Sequence, residues 1–255
     1  MNKPNLILDS WIMFKRNMMI VMKNGEAISM AIITPIFLML MFGAVFGSIA
    51  DVGMPINYVT FIVPGIILQS VAQASQYTAI NVNGDMTKGM VDRFRSMPIS
   101  RSSLLIGHAG ASAVRNIVTS TIIIITALFI GFEPQAGIIE WLMVAGLLFL
   151  TITAITCTAV LSGIRAKTAE GATGLMFPLF ILPFLSSGFA PTDTMHVALR
   201  WFAQYQPMTP VINAVRALML GYNPGNDLWI ALAWTGGITL LTFGLALRRF
   251  KKKSL

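Results

Sequence analysis

The stretch AISMAIITPIFLMLMFGAVFGSI, residues 27–49, runs for 23 residues without one charged side chain. Wound as a helix at 1.5 Å per residue it is about 34 Å long, enough to cross a hydrocarbon core about 30 Å thick. A segment apolar on every side is unsuited to the amphipathic core helix of a water-soluble fold. In hydrocarbon, a helix satisfies its own backbone groups. Working outward, five further stretches read the same way: 58–80, 104–130, 138–161, 172–189 and 228–247. The chain is 55% hydrophobic and 11% charged, against about 25% charged residues in an ordinary soluble domain. It therefore reads as an all-α membrane protein whose residues 1–255 form a single transmembrane domain of six transmembrane helices. The first stretch is expected to be retained as a span, because no small-residue cleavage site follows it. The lone Cys157 lies inside the fourth stretch and forms no intrachain disulfide.

The basic residues sort by side. Fifteen of the 18 Lys and Arg fall before the first stretch, between the second and third, between the fourth and fifth, or after the last. The opposite loops hold only Arg200 and Arg216, and Arg115 alone lies well inside a stretch. Retention of positive loops in the cytoplasm places both termini inside and makes the chain a multi-pass protein of the cell membrane. The net charge of +8 then reflects topology and contact with anionic membrane lipids. No basic groove with interleaved aromatics points to nucleic acid.

Four segments carry the remaining information. Residues 5–25 read as a helix in the cytoplasmic interface, with Ile7, Leu8, Trp11, Phe14, Met18 and Met22 on an apolar face and Asp9, Arg16, Asn17 and Asn24 opposite; an extension of the first span is the other reading. In the loop 81–103 a turn is expected at Asn83-Gly84-Asp85. A short cytoplasmic helix over 84–97 follows, carrying Met86, Met90, Phe94 and Met97 at helical spacing and stopped by Pro98. Such a stripe either docks into a soluble partner or rests on the membrane or the bundle, and the pattern leaves both open. Residues 193–220 hold two helical patterns too short to cross, which either dip into the outer leaflet or lie flat. Within the second span Gln69, Gln73 and Gln76 share one helical face, facing another helix, a twin subunit or a water-filled route. Arg115 is expected to snorkel toward the cytoplasm or to pair with a carboxylate.

Catalytic chemistry lacks parts. Gly84 and Gly89 have the spacing of a phosphate loop, but Met90-Val91 stand where Lys and Ser or Thr are required. Ser112 and His196 belong to opposite sides, His108 reads as isolated, and no metal-binding cluster or pair of intramembrane carboxylates occurs. The expectation is no catalytic, metal or cofactor site in this chain. An ion-driven secondary transporter is the alternative reading, and would be expected to show inverted repeats and a mid-membrane acid. A membrane-anchoring subunit is a third.

The ordered set of RFRSMPISRSSLLIGH at 93–108, PLFILPFLSSGFAPTDTM at 178–195 and QPMTPVINAVRALMLG at 206–221, among six spans preceded by an interfacial helix, resembles the ABC-2 type permeases of ABC exporters, the daunorubicin-resistance and multidrug branch above all. The resemblance implies a passive transmembrane subunit that pairs with a second permease, identical or homologous. It also implies two separate ABC ATPase subunits, which carry the ATP and Mg²⁺. By that likeness the segment 84–97 is a coupling helix, with Met86, Met90, Arg93, Phe94, Arg95 and Met97 touching the ATPase. The helices within 193–220 shape the exit, and Gln69, Gln73, Gln76, Phe177 and Phe184 lie along the substrate path. Glu26 fills the place of an acidic residue near the start of the first span.

Overall fold

The computed structural model describes residues 5–50, 56–87 and 101–253. Among them the chain forms nine α-helices, one 3-10 turn at Thr192–Thr194 and no strand. In chain order these are α1 (Leu6–Lys23), α2 (Gly25–Ala50), α3 (Tyr58–Thr87), α4 (Arg101–Ile130), α5 (Ile138–Arg165), α6 (Ala169–Ile181), α7 (Val197–Tyr205), α8 (Met208–Met219) and α9 (Gly225–Lys253). Five of them, α2, α3, α4, α5 and α9, are long and apolar enough to cross a membrane.

α3 is the axis of the bundle. It packs on α2, α4, α5, α6 and α8, and 22 of its 30 residues are buried. Surrounded on several sides, α3 has no single apolar stripe: its polar residues, among them Gln69, Ser75, Thr78, Asn83 and Asp85, are buried with the apolar ones. Close approach is bought with small residues: a Cβ on Gly65 would lie 2.5 Å from the Gly188 carbonyl oxygen, so only a bare backbone fits there. The larger hydrophobic cluster surrounds α3 from Tyr58 to Ala79. A smaller one joins Met13, Val82, Leu104, Ile164 and Phe250 at the end of the bundle where the basic segments emerge, here termed the basic end.

Two expectations are corrected by the fold. The turn at Asn83-Gly84-Asp85 does not form, and α3 continues through these residues to Thr87. The Asn83 amide donates to the carbonyls of Gly163 (3.2 Å) and Ala166 (2.8 Å), while Asp85 is bonded to other helices, so both side chains are used across the bundle and not in a local turn. The stretch 172–189 is not one continuous helix. It contributes the last ten residues of the 13-residue α6 and then successive turns over 182–189, where Pro183 and Ser186-Ser187-Gly188 redirect the chain.

α1 docks through its more polar face. Asn5 caps it, its side-chain oxygen accepting from the backbone N–H of Ile7 and Leu8. The face turned to the bundle carries Met13, Arg16 and Asn17, whereas Ile7, Leu8, Trp11 and Met22 point outward. The face expected to be polar is the one that docks, because Arg16 has a charged partner inside the protein.

Between α6 and α9 the two short helices differ in disposition. α7 is exposed, with only Ala203 buried, and presents Trp201 and Tyr205. α8 is embedded, packing on α5, α9 and α3 through Val211, Ile212, Val215, Leu218 and Met219.

Candidate functional site

At the basic end, α1, α3 and α4 meet in a charged junction. Arg16 donates two parallel hydrogen bonds to the Asp85 carboxylate, Nη2 to Oδ1 at 2.8 Å and Nη1 to Oδ2 at 2.9 Å. The second carboxylate oxygen is also 2.9 Å from His108 Nε2. Hydrogen bonding to Asp85 raises the Arg16 guanidinium above its ordinary value, so its charge is secure. Side chains from three helices thus share one carboxylate in the last turn of α3, immediately before residues 88–100. The junction walls a cavity of about 420 Å³ to which Asn83, Lys167 and Thr168 contribute. His108, which reads as isolated in the sequence, is therefore part of the site. A partner 23 positions away leaves no periodic signal.

α1 is held onto α4 by close packing. A Cβ at Gly107 would stand 2.5 Å from that of Met13, and one at Gly110 would stand 3.2 Å from the Phe14 ring. Of the residues expected to touch an ATPase, Met86 lies in the last turn of α3, half-buried against the cluster at the basic end. Met90, Arg93, Phe94, Arg95 and Met97 lie outside the described residues.

Deeper in the bundle a polar seam crosses three helices. Thr78 donates to Ser112 at 2.9 Å, the Ser112 and Thr156 hydroxyls are 3.2 Å apart, and Asn116 donates to Ser112 at 3.4 Å. Arg115 reaches from α4 to α3, donating to the Ala74 carbonyl and to Thr78 Oγ1. No described carboxylate pairs with it. Of the two expectations, pairing with a carboxylate is not what these residues show: backbone and hydroxyl oxygens meet its Nη2.

The candidate path residues separate into two groups. Gln69 is 1% exposed, and its side-chain oxygen has no hydrogen-bond donor, so it is enclosed within the bundle. Gln73 and Gln76 are half-buried on the same helix. Phe184 belongs to a row of rings, Phe177, Phe180, Phe184, Phe189, Phe42 and Phe46, whose neighbouring centroids are 5.0–6.4 Å apart. That spacing suits favourable aromatic contact. The row starts on α6 at the exposed Phe177 and ends on α2. Phe42, Phe46, Phe180 and Phe189 escape the sequence reading, although the 42/46 and 177/180/184 spacings place each set on one helical face.

At the opposite end Arg216 of α8 is used in full. Its Nε donates to the Phe61 carbonyl (3.0 Å), Nη1 to Asn213 Oδ1 (3.1 Å) and Nη2 to the Ser187 carbonyl, while its guanidinium carbon lies 3.9 Å from the Phe61 ring centroid. It fixes α8 and the turned segment after α6 to the first turn of α3.

Several membrane-length helices around a buried central one, with a charged junction at the basic end and aromatic contacts toward the other, are the architecture of an integral membrane protein. The ABC-2 type transporter family matches residues 9–220, and the chain belongs to that family. It is 26% identical over 226 residues to the daunorubicin resistance ABC transporter permease protein DrrB1 of Streptomyces coeruleorubidus, covering 88% of this chain and 79% of that one. It is 28% identical over 214 residues to the probable doxorubicin resistance ABC transporter permease protein DrrC of Mycobacterium tuberculosis, covering 83% and 76%. To the inner membrane transport permease YadH of Escherichia coli it is 25% identical over 196 residues, 75% of each chain.

Proposed function

We propose that this chain is the membrane-spanning permease subunit of an ATP-driven exporter, paired with a second permease and with two separate ABC ATPase subunits that hold ATP and Mg²⁺ and carry out hydrolysis. Its cargo is hydrophobic or amphipathic: a drug, an antibiotic, a lipid or a peptide. The basic end faces the cytoplasm with both termini, and α6 together with the turned segment after it completes a sixth crossing.

The observation that carries this reading is the Arg16, Asp85 and His108 junction. It ties the end of α3 to α1 and α4 directly before the segment that would meet the motor. Closure of the ATPase subunits presses on residues 84–97 through Met86, Met90, Arg93, Phe94, Arg95 and Met97. The junction passes the displacement to three helices together, and the bundle alternates between inward and outward access. Cargo moves between the two permeases along the aromatic row and the half-buried Gln73 and Gln76, with Gln69 enclosed behind them. The exit lies at α7 and α8.

The test replaces Met90 and Phe94 with Asp in the assembled complex. Export stops while the protein remains in the membrane, because a charge cannot seat in an apolar groove. Undiminished export in that double variant, or uphill transport by this subunit alone on a proton or sodium gradient, rejects the reading.

A further inference from the structure

Two arginines in this bundle lack a carboxylate partner, and they are solved differently. Every nitrogen of Arg216 donates to a protein oxygen. Arg115 donates through Nη2 to Ala74 and Thr78. Its Nε is enclosed and has no acceptor among the described residues. A cation withdrawn from water without a counter-charge is costly, and burying an unpaired donor adds to that cost. The natural remedy is an anion from outside the chain.

The surroundings provide room for one. Arg115 lines a cavity of about 40 Å³ together with Asn24, Tyr77 and Asn81, the rest of the wall being aliphatic side chains of α1, α2 and α3. One water needs about 10–15 Å³ of such volume, so the cavity holds roughly three water-sized atoms. That is the size of the free oxygens of a tetrahedral oxyanion and far below that of a lipid. The mouth is at the elbow between α1 and α2, where Ile20 and Asn24 are exposed. A larger molecule can therefore insert its charged group and leave the remainder outside. The residues that line it include a guanidinium, a tyrosine and a carboxamide, Arg115, Tyr77 and Asn81, the donor types that suit phosphate oxygens.

We propose that Arg115, Tyr77 and Asn81 form an anion site at the α1–α2 elbow that takes a phosphate group, carried either by an anionic phospholipid or by free orthophosphate. The site is separate from the aromatic row and does not depend on the identity of the cargo.

The test uses the full chain purified in neutral detergent, with thermal unfolding followed by tryptophan fluorescence. Phosphatidylglycerol, phosphatidylcholine, sodium phosphate and sodium chloride of matched ionic strength are titrated into the wild type, Arg115→Gln and Asn81→Leu. Phosphatidylglycerol or phosphate raises the melting temperature of the wild type above the chloride and phosphatidylcholine controls. Each variant needs about tenfold or more ligand for half the effect. Stabilisation by phosphatidylglycerol and not by phosphate identifies a lipid headgroup as the source, and stabilisation by phosphate identifies the free anion. Should Arg115→Gln fail to fold, Asn81→Leu, which keeps the cation, carries the comparison. Equal response to chloride, no response to either phosphate compound, or unchanged titrations in the variants overturns the site.

Discussion

Arg16 and Asp85 stand 69 residues apart in the chain, yet they meet in a two-pronged ion pair with donor–acceptor distances of 2.8 and 2.9 Å. The planar guanidinium matches a carboxylate edge, which gives the pair a direction as well as an energy. It fixes the angle at which α1 leaves the bundle.

Breaking this pair should therefore cost more than a surface ion pair does. Asp85→Ala is expected to destabilise the protein by about 2–3 kcal/mol and to reduce export, because it strands Arg16 and His108 at a partly buried site. The reciprocal exchange Arg16→Asp with Asp85→Arg should recover part of both losses. Melting temperature and transport measured on the single and exchanged variants check this, and an exchange no better than the worse single change refutes the direct coupling.

Crowding the crossing of α1 and α4 should loosen α1 specifically. Gly107→Leu forces a side chain into Met13 and is expected to cost about 1–3 kcal/mol and to expose α1 to protease. Gly236→Leu on α9, where an added Cβ has nothing within 4 Å, is the control and should leave the cleavage pattern unchanged.

Arg216 offers a test of geometry against charge. Arg216→Lys keeps the positive charge but cannot reach Phe61, Asn213 and Ser187 at once. It should lower stability nearly as much as Arg216→Met, by about 3 kcal/mol, as read from thermal unfolding in detergent. Full stability in the lysine variant would mean that charge alone suffices.

Route and scaffold can be separated with one enclosed and one exposed residue. Gln69→Leu removes an oxygen that lacks a donor and should raise stability by about 1 kcal/mol with export retained. Phe177→Ala, at the 56% exposed end of the aromatic row, should leave stability unchanged while lowering export of aromatic cargo. The opposite pattern would place Gln69 on the route and take Phe177 off it.

Much of this architecture is legible in the sequence, and the limits have physical causes. Uninterrupted apolar runs announce α2, α3, α4, α5 and α9, because hydrocarbon demands length and admits few charges. The short patterns around 193–220 likewise emerge as α7 and α8. Periodicity fails where lipid and protein are equally apolar, since it shows a face without saying which solvent meets it. That is why the embedded α8 and exposed α7 look alike on paper. The turn expected at Asn83-Gly84-Asp85 is a sound local inference overridden by distant partners: the carbonyls of Gly163 and Ala166, the Arg16 guanidinium and the His108 ring. His108 is misjudged for the same reason, its partner Asp85 standing on another helix.

The enclosure of α3 restricts how it moves. A rod of 30 residues, about 45 Å long and gripped by five neighbouring helices, has no free flank toward which to tilt. Its ends are tied to those neighbours, from Asn83 to the Gly163 and Ala166 carbonyls, from Asp85 to Arg16 and His108, and from the Tyr58 hydroxyl to the Phe189 carbonyl at 2.9 Å, so α3 cannot shift without carrying the attached segments with it.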